Sequence, residues 1–284
     1  MSKVHSVVEY LQVLNNITIA NEEELFYRGL SKNCYSDKMS PTCLRNKDLE
    51  EEYNCYHEIM LEYPEEFKKG EHLSNLVKMQ HFGGKTRLVD LSANPLISLF
   101  FAAEQHPDID GEVLCFRIKK SEILHHTSDK ALMLACLPLF TNAEKKEMEN
   151  FCRSHMGEIT DEDIKYNKTM RRFLHEIRSE FPAFETCIIG EDLLKTYCVK
   201  ANKDNIRMKK QSGLFFICGL GEQERKSWNQ KSFAITIDKD SKKRILEELR
   251  RLDISNSTIY PDFERRAMEI SHLQVNWTII GNIK

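Results

Sequence analysis

The densest run of groups able to do chemistry is Gln80-His81-Phe82-Gly83-Gly84-Lys85-Thr86-Arg87-Leu88-Val89-Asp90-Leu91-Ser92-Ala93-Asn94-Pro95-Leu96. It places amide, imidazole, guanidinium, carboxylate and hydroxyl groups directly before a stretch apolar enough to be a buried helix. A polar group left unpaired there would cost on the order of 1–3 kcal/mol. Gln80, His81, Arg87, Asp90 and Ser92 must therefore bond one another or face a cavity. In the first arrangement Asp90 pairs with Arg87 or Arg28, Ser92 caps a helix, and the network serves architecture alone. In the second, a helix N-terminus with free N–H donors works with an arginine to hold an anion such as a phosphate. The residues by themselves leave both open.

Other patterns carry less. Gly83-Gly84-Lys85-Thr86 looks like the end of a phosphate-binding P-loop, but the glycine required five positions before Gly84 is Met79. A helical pattern precedes it and an extended run follows, the reverse of what that loop needs. His125 and His126 are adjacent, Cys55 and His57 diverge on either regular element, and no second pair completes a zinc spacing, so no metal is expected. Nothing in the order of residues selects a catalytic cysteine from the nine. The run Lys145-Lys146-Glu147-Met148-Glu149 reads as a solvated helix face rather than a partner surface.

The elements that must position these groups follow from periodicity. Residues 1–15 read as an amphipathic helix, and Leu25-Phe26-Tyr27-Arg28-Gly29 as a strand stopping at a glycine. Helical spacing covers 48–68 and 72–81, the latter ending at Gly83-Gly84. Asn94 is the expected N-cap and Pro95 the first residue of a helix that is apolar nearly all round. Strands are expected at 113–118, 197–199, 214–218 and 233–237, and helices at 239–252 and 261–273. Residues 121–180 are mostly helical and highly charged. The whole reads as one α+β domain over 1–284 with a charged helical insertion at about 121–180, and neither a repeat nor a low-complexity linker divides it.

Four segments, in chain order, resemble the FRG domain family: Phe26-Tyr27-Arg28-Gly29, the Gln80–Leu96 block, Arg207-Met208 with Gln211-Ser212-Gly213-Leu214-Phe215, and Ile259-Tyr260-Pro261-Asp262-Phe263. Lys85, Leu91 and Ser212 stand where the family more often has Pro, Trp and Gln. The resemblance implies small mixed or antiparallel sheets surrounded by helices. An arginine ending an early strand, a serine entering a helix and a polar residue opening a late strand are further similar to the split-sheet layout of ADP-ribosyltransferases. On that likeness NAD would be the cofactor, held by Arg28, Gly29, Gln80, His81, Thr86, Arg87, Ser92 and Asn94. Gln211 would stand where the catalytic glutamate normally orients the ribose, with Asp90 as the substitute carboxylate. Glutamine can accept a hydrogen bond but carries no charge to stabilise an oxocarbenium-like centre. The implied functions are an NAD-dependent transferase-like effector, a toxin or phage-defence protein, or a non-catalytic module that binds a nucleotide or a protein target.

Composition bounds the rest. The chain has 284 residues, 41% hydrophobic and 30% charged, which excludes global disorder and a fibrous fold. A net charge of -3 argues against a dedicated nucleic-acid binder. Nine cysteines without a repeated spacing read as reduced thiols, no leader is read at the N-terminus, and no apolar run reaches the ~18 residues of a membrane span. A cytoplasmic protein without a membrane partner is expected.

Overall fold

A computed structural model describes residues 3–34, 38–45, 50–186, 188–202 and 206–260. Eight strands form one mixed sheet rather than several small ones. Their spatial order is β1 (Lys3–Val4), β10 (Ser232–Ile237), β4 (Gly111–Lys119), β2 (Glu23–Leu30), β3 (Leu88–Ser92), β9 (Gly213–Cys218), β8 (Thr196–Lys200) and β5 (Ile123–His125). The two outermost pairs, β1 with β10 and β5 with β8, are parallel, and the pairs between them antiparallel. β6 (Glu158–Ile159) and β7 (Ile188–Ile189) pair separately. The class is α+β, as expected.

Alternation along the strands builds two faces. Phe26, Leu30, Val89, Leu91, Leu114, Phe116, Leu214 and Phe216 point to one, where Met39 and Trp228 cover them. Trp228 belongs to α11 (Glu222–Lys231). On the other face Tyr27, Val113, Cys115 and Ile235 pack beneath α1 (Val7–Asn15), α4 (Pro95–Ala103) and α12 (Lys242–Arg251). Further along it, Leu88, Phe215 and Ile217 lie under α3 (His72–His81), α5 (Asp129–Cys136), α6 (Asn142–Ser154) and α8 (Lys168–Glu180). The shorter helices α7 (Asp161–Ile164), α9 (Gly190–Leu194), α10 (Ile206–Lys210) and α13 (Asn256–Ile259) complete the described set with α2 (Glu50–Glu62).

Helix α4 forms as its sequence dictates. The Asn94 side chain accepts from Leu96 N, Pro95 opens the first turn, and six of its nine residues are buried. Other boundaries differ from expectation. The first helix begins at Val7, capped by Ser6, because Lys3–Val4 is taken by the sheet edge beside β10. Helix α2 ends at Glu62, two residues before Pro64, where the chain must leave the helical region. The expected helix at 239–252 begins as a 3-10 turn, Lys239–Ser241, before α12. The expected helix at 261–273, and Pro261-Asp262-Phe263 of the last resemblance segment, lie outside the described residues.

The 121–180 region is not a solvated appendage. Ala131, Met133, Leu134, Ala135 and Cys136 of α5 and Phe173 and Ile177 of α8 are buried in one cluster with Leu73 and Leu76 of α3. Within the Lys145–Glu149 run, Lys145 and Met148 are buried, so only part of that face meets solvent. Among the described residues no helix is long and apolar enough to cross a membrane. Eight cysteines are described, and all are free thiols.

Candidate functional site

The sheet comes apart where the candidate residues sit. β2 pairs with β4 along its whole length, from Glu23↔Lys119 to Leu30↔Glu112, and β3 pairs with β9 from Leu88↔Ile217 to Ser92↔Gly213. Between β2 and β3 the described register holds at Tyr27↔Ser92 alone. Beyond that point backbone groups that a regular ladder would pair need other partners. Arg28 of β2 partners one of them: its Nη1 donates to Asp90 O of β3 at 2.9 Å, bridging the fissure, while its Nε donates to Lys38 O at 3.2 Å.

A cleft of about 890 Å³ opens on this fissure. That lies within the ~300–1,000 Å³ usual for small-molecule and cofactor sites. One part of its lining is cationic: Arg28 and Lys38, exposed Arg45, and Arg225 and Lys226 of α11. Lys38 is paired with Glu112 at 2.5 Å and Lys226 with Glu222 at 2.6 Å. Arg225 is 7% exposed, and its Nε is buried without a partner among the described residues. It also holds aromatic side chains, Tyr27, Phe101 and Tyr260, with the Phe101 and Tyr260 rings 6.2 Å apart and inclined at 62°. Burial pushes the Tyr27 phenol up to about 12, so it stays a neutral donor at physiological pH. Tyr260 donates to both carboxylate oxygens of Glu104 at 3.1 Å. Ser98 of α4 is fully buried in the same lining, and its Oγ has no partner among the described residues.

Of the residues singled out from sequence, Arg28, Gly29, Gln80, His81, Asp90, Ser92 and Gln211 line this cleft. Asp90 is exposed, and its Oδ1 accepts from Gln80 Nε2 at 2.8 Å; it pairs with neither arginine through its carboxylate. Ser92 is committed to architecture: its Oγ donates to Gln211 O at 2.7 Å and accepts from Asn94 N at 3.0 Å. The Gln211 amide donates to Ile259 O at 3.4 Å. Gly29 is on the wall because α4 passes directly over it, the place where a Cβ would stand being 2.0 Å from Ser98 O.

Three of the residues expected at a ligand lie off this cleft. Thr86 lies off the cleft, buried with its hydroxyl donated to Gln80 Oε1 and its backbone tied to Thr42. Asn94 is spent on capping α4. Arg87 is 3% exposed and points away into a charge cluster, where Nε and Nη2 bond the Glu52 carboxylate at 2.8 and 2.5 Å and Nη1 bonds Cys218 O. Lys145 completes the cluster at 2.6 Å from Glu52. The sequence reading missed Arg45, Arg225, Phe101 and Glu104. The motif positions next to Arg28 and Ile259 do contain Tyr27 and Tyr260, so the aromatic wall had a signal that went unused.

Residues 23–110 match the family model of the FRG domain. The matched stretch holds Arg28, Arg45, the Gln80–Asn94 block and α4, whereas Gln211, Arg225 and Tyr260 come from beyond it. No curated protein and no solved structure matches the chain.

Proposed function

We propose that the cleft binds a nucleotide-class ligand, NAD or another molecule with an ADP-ribose moiety, without needing to turn it over. The observation that carries this reading is that several cationic and several aromatic side chains line one 890 Å³ cleft. Arg28, Arg45, Arg225 and Lys226 suit a diphosphate, guanidinium groups offering paired donors to its oxygens. Tyr27, Phe101 and Tyr260 suit a base or nicotinamide ring.

The test is calorimetric titration of the full chain with NAD, ADP-ribose and ATP. Arg45→Ala changes an exposed side chain and is expected to leave the fold intact while weakening binding by about 10–150-fold, the effect of losing one charged hydrogen bond of ~1.5–3 kcal/mol. Arg28→Ala is expected to abolish measurable binding, with some loss of stability from the opened fissure. Ser92→Ala should lower stability by about 1 kcal/mol in urea unfolding and leave affinity unchanged, because its hydroxyl is already used within the fold. Absence of heat with all three nucleotides at millimolar concentration would end the proposal.

A second reading, ADP-ribosyl transfer by a defence or toxin effector, has one observation in its favour: the Asp90 carboxylate is exposed in the cleft and oriented by Gln80. Against it, Ser92 and Gln211 are both engaged with backbone carbonyls. Nicotinamide release from NAD, followed by chromatography, separates the two. None is expected from the wild type; release that Asp90→Asn eliminates would favour transfer.

A further inference from the structure

Away from the cleft, the ends of three helices bring together three side chains of ligand type. His72 is the first residue of α3, Cys136 the last of α5 and Glu180 the last of α8. One ring nitrogen, the sulfur and one carboxylate oxygen all lie within 4.8 Å of one another. Cys136 is fully buried, and the His72 and Glu180 side chains are 9% and 10% exposed.

The imidazole is already oriented. The Tyr56 hydroxyl sits 2.7 Å from His72 Nδ1, which leaves Nε2 directed at Glu180 Oε2, 3.8 Å away. At 3.8 Å the nitrogen and oxygen are too far apart for a hydrogen bond, and Oε2 is buried with no partner among the described residues. The two atoms thus stand, beside a sulfur, at the spacing of ligands around an ion rather than of a hydrogen-bonded donor and acceptor. With metal–ligand bonds of ~2.0–2.3 Å, neighbouring ligands of a tetrahedral zinc stand about 3.3–3.8 Å apart. The His72–Glu180 separation fits this directly, and a side-chain movement of about 1 Å closes the widest gap.

We infer that His72, Cys136 and Glu180 form a binding site for a zinc-class divalent ion, with Tyr56 holding the imidazole from behind. An imidazole, a thiol and a carboxylate select a borderline ion over calcium or magnesium, and the tyrosine plays the part that outer hydrogen-bond partners play at such sites. The ion would staple α3, inside the FRG match, to α5 and α8 outside it. Three protein ligands leave a fourth position for water.

The experiment uses the full chain, stripped with a chelator and titrated with cobalt(II). A thiolate-to-cobalt charge-transfer band is expected in the near ultraviolet at one equivalent, bleached by one equivalent of zinc. Cys136→Ser should lose the band. Tyr56→Phe keeps every ligand and should keep the band while weakening affinity by roughly 10–100-fold. Glu180→Gln, close in shape to the wild type, should bind cobalt at least ~10-fold more weakly at unchanged far-ultraviolet circular dichroism. Zinc should raise the Tm of the wild type and not that of Cys136→Ser. A wild type with no thiolate band at saturating cobalt overturns the inference whatever the variants do. A band that persists in folded Cys136→Ser overturns it as well, because another cysteine would then be the ligand.

Discussion

Replacing Glu52 by glutamine is expected to destabilise the chain by about 3–5 kcal/mol in urea unfolding at neutral pH. Glu52 is completely buried, with Arg87 and Lys145 on its carboxylate at 3% and 4% exposure. Burial alone would raise its pKa, but the two cations outweigh it and hold the carboxyl at about 2. Glutamine keeps the shape and removes the charge, which leaves two cations facing each other out of water. The same coupling sets a pH dependence. The carboxyl is depressed relative to its ordinary 4.5, so its contribution to stability is complete above pH 4.5 and is lost as pH falls toward 2. Lys145→Met is the control. Burial, with the Arg87 charge added, pulls the Lys145 pKa down, and removing it leaves Glu52 and Arg87 as a neutral bidentate pair. Its cost should be well below that of Glu52→Gln. Equal costs, or a Glu52→Gln cost under about 1 kcal/mol, would show that the cluster does not hold α2, β3 and α6 together in this way.

That cluster also shows where sequence reading stopped. The resemblance implies that Arg87 holds a ligand with the rest of the Gln80–Asn94 block. What assigns it elsewhere is Glu52, 35 residues upstream, and Lys145, which looked solvated because its neighbours in the chain are charged. Local patterns carried the local facts: the Asn94-Pro95 start of α4 and the central strands follow from capping and periodicity. The order of Arg28, Gln80, Asp90 and Gln211 was enough to group residues that do share one cleft. Pairwise commitments were not legible, such as the Ser92 hydroxyl given to Gln211 O, since they depend on where a late strand meets an early one. The His72, Cys136 and Glu180 group was invisible for the same reason. Ligand-spacing rules detect pairs on one element, and here each ligand sits at the end of a different helix.

Replacing Gly29 by alanine is the second change with a large expected effect, about 3 kcal/mol or more, beyond the usual range for overpacking. The added methyl would stand 2.0 Å from Ser98 O and 2.8 Å from Phe101 Cβ, both on α4. Carbon atoms in contact prefer ~3.5–4.0 Å, and the nearest obstacle is helix backbone, which cannot rotate aside as a side chain could. Relief requires α4 to lift from β2, and α4 carries Ser98, Phe101 and, at its C-cap, Glu104, all on the cleft wall. Gly29→Ala should therefore lower the urea midpoint and weaken nucleotide binding together, even though a methyl group removes no ligand contact. Gly213→Ala separates this from a general intolerance of the cleft glycines. Gly213 also lines the cleft, but its nearest neighbours would be 3.6 and 3.8 Å away, ordinary contact, and its cost should stay under about 1 kcal/mol. If the two alanine variants unfold at the same urea concentration, the glycine after Arg28 is not there to admit α4, and the close packing of that helix on β2 is not what shapes the site.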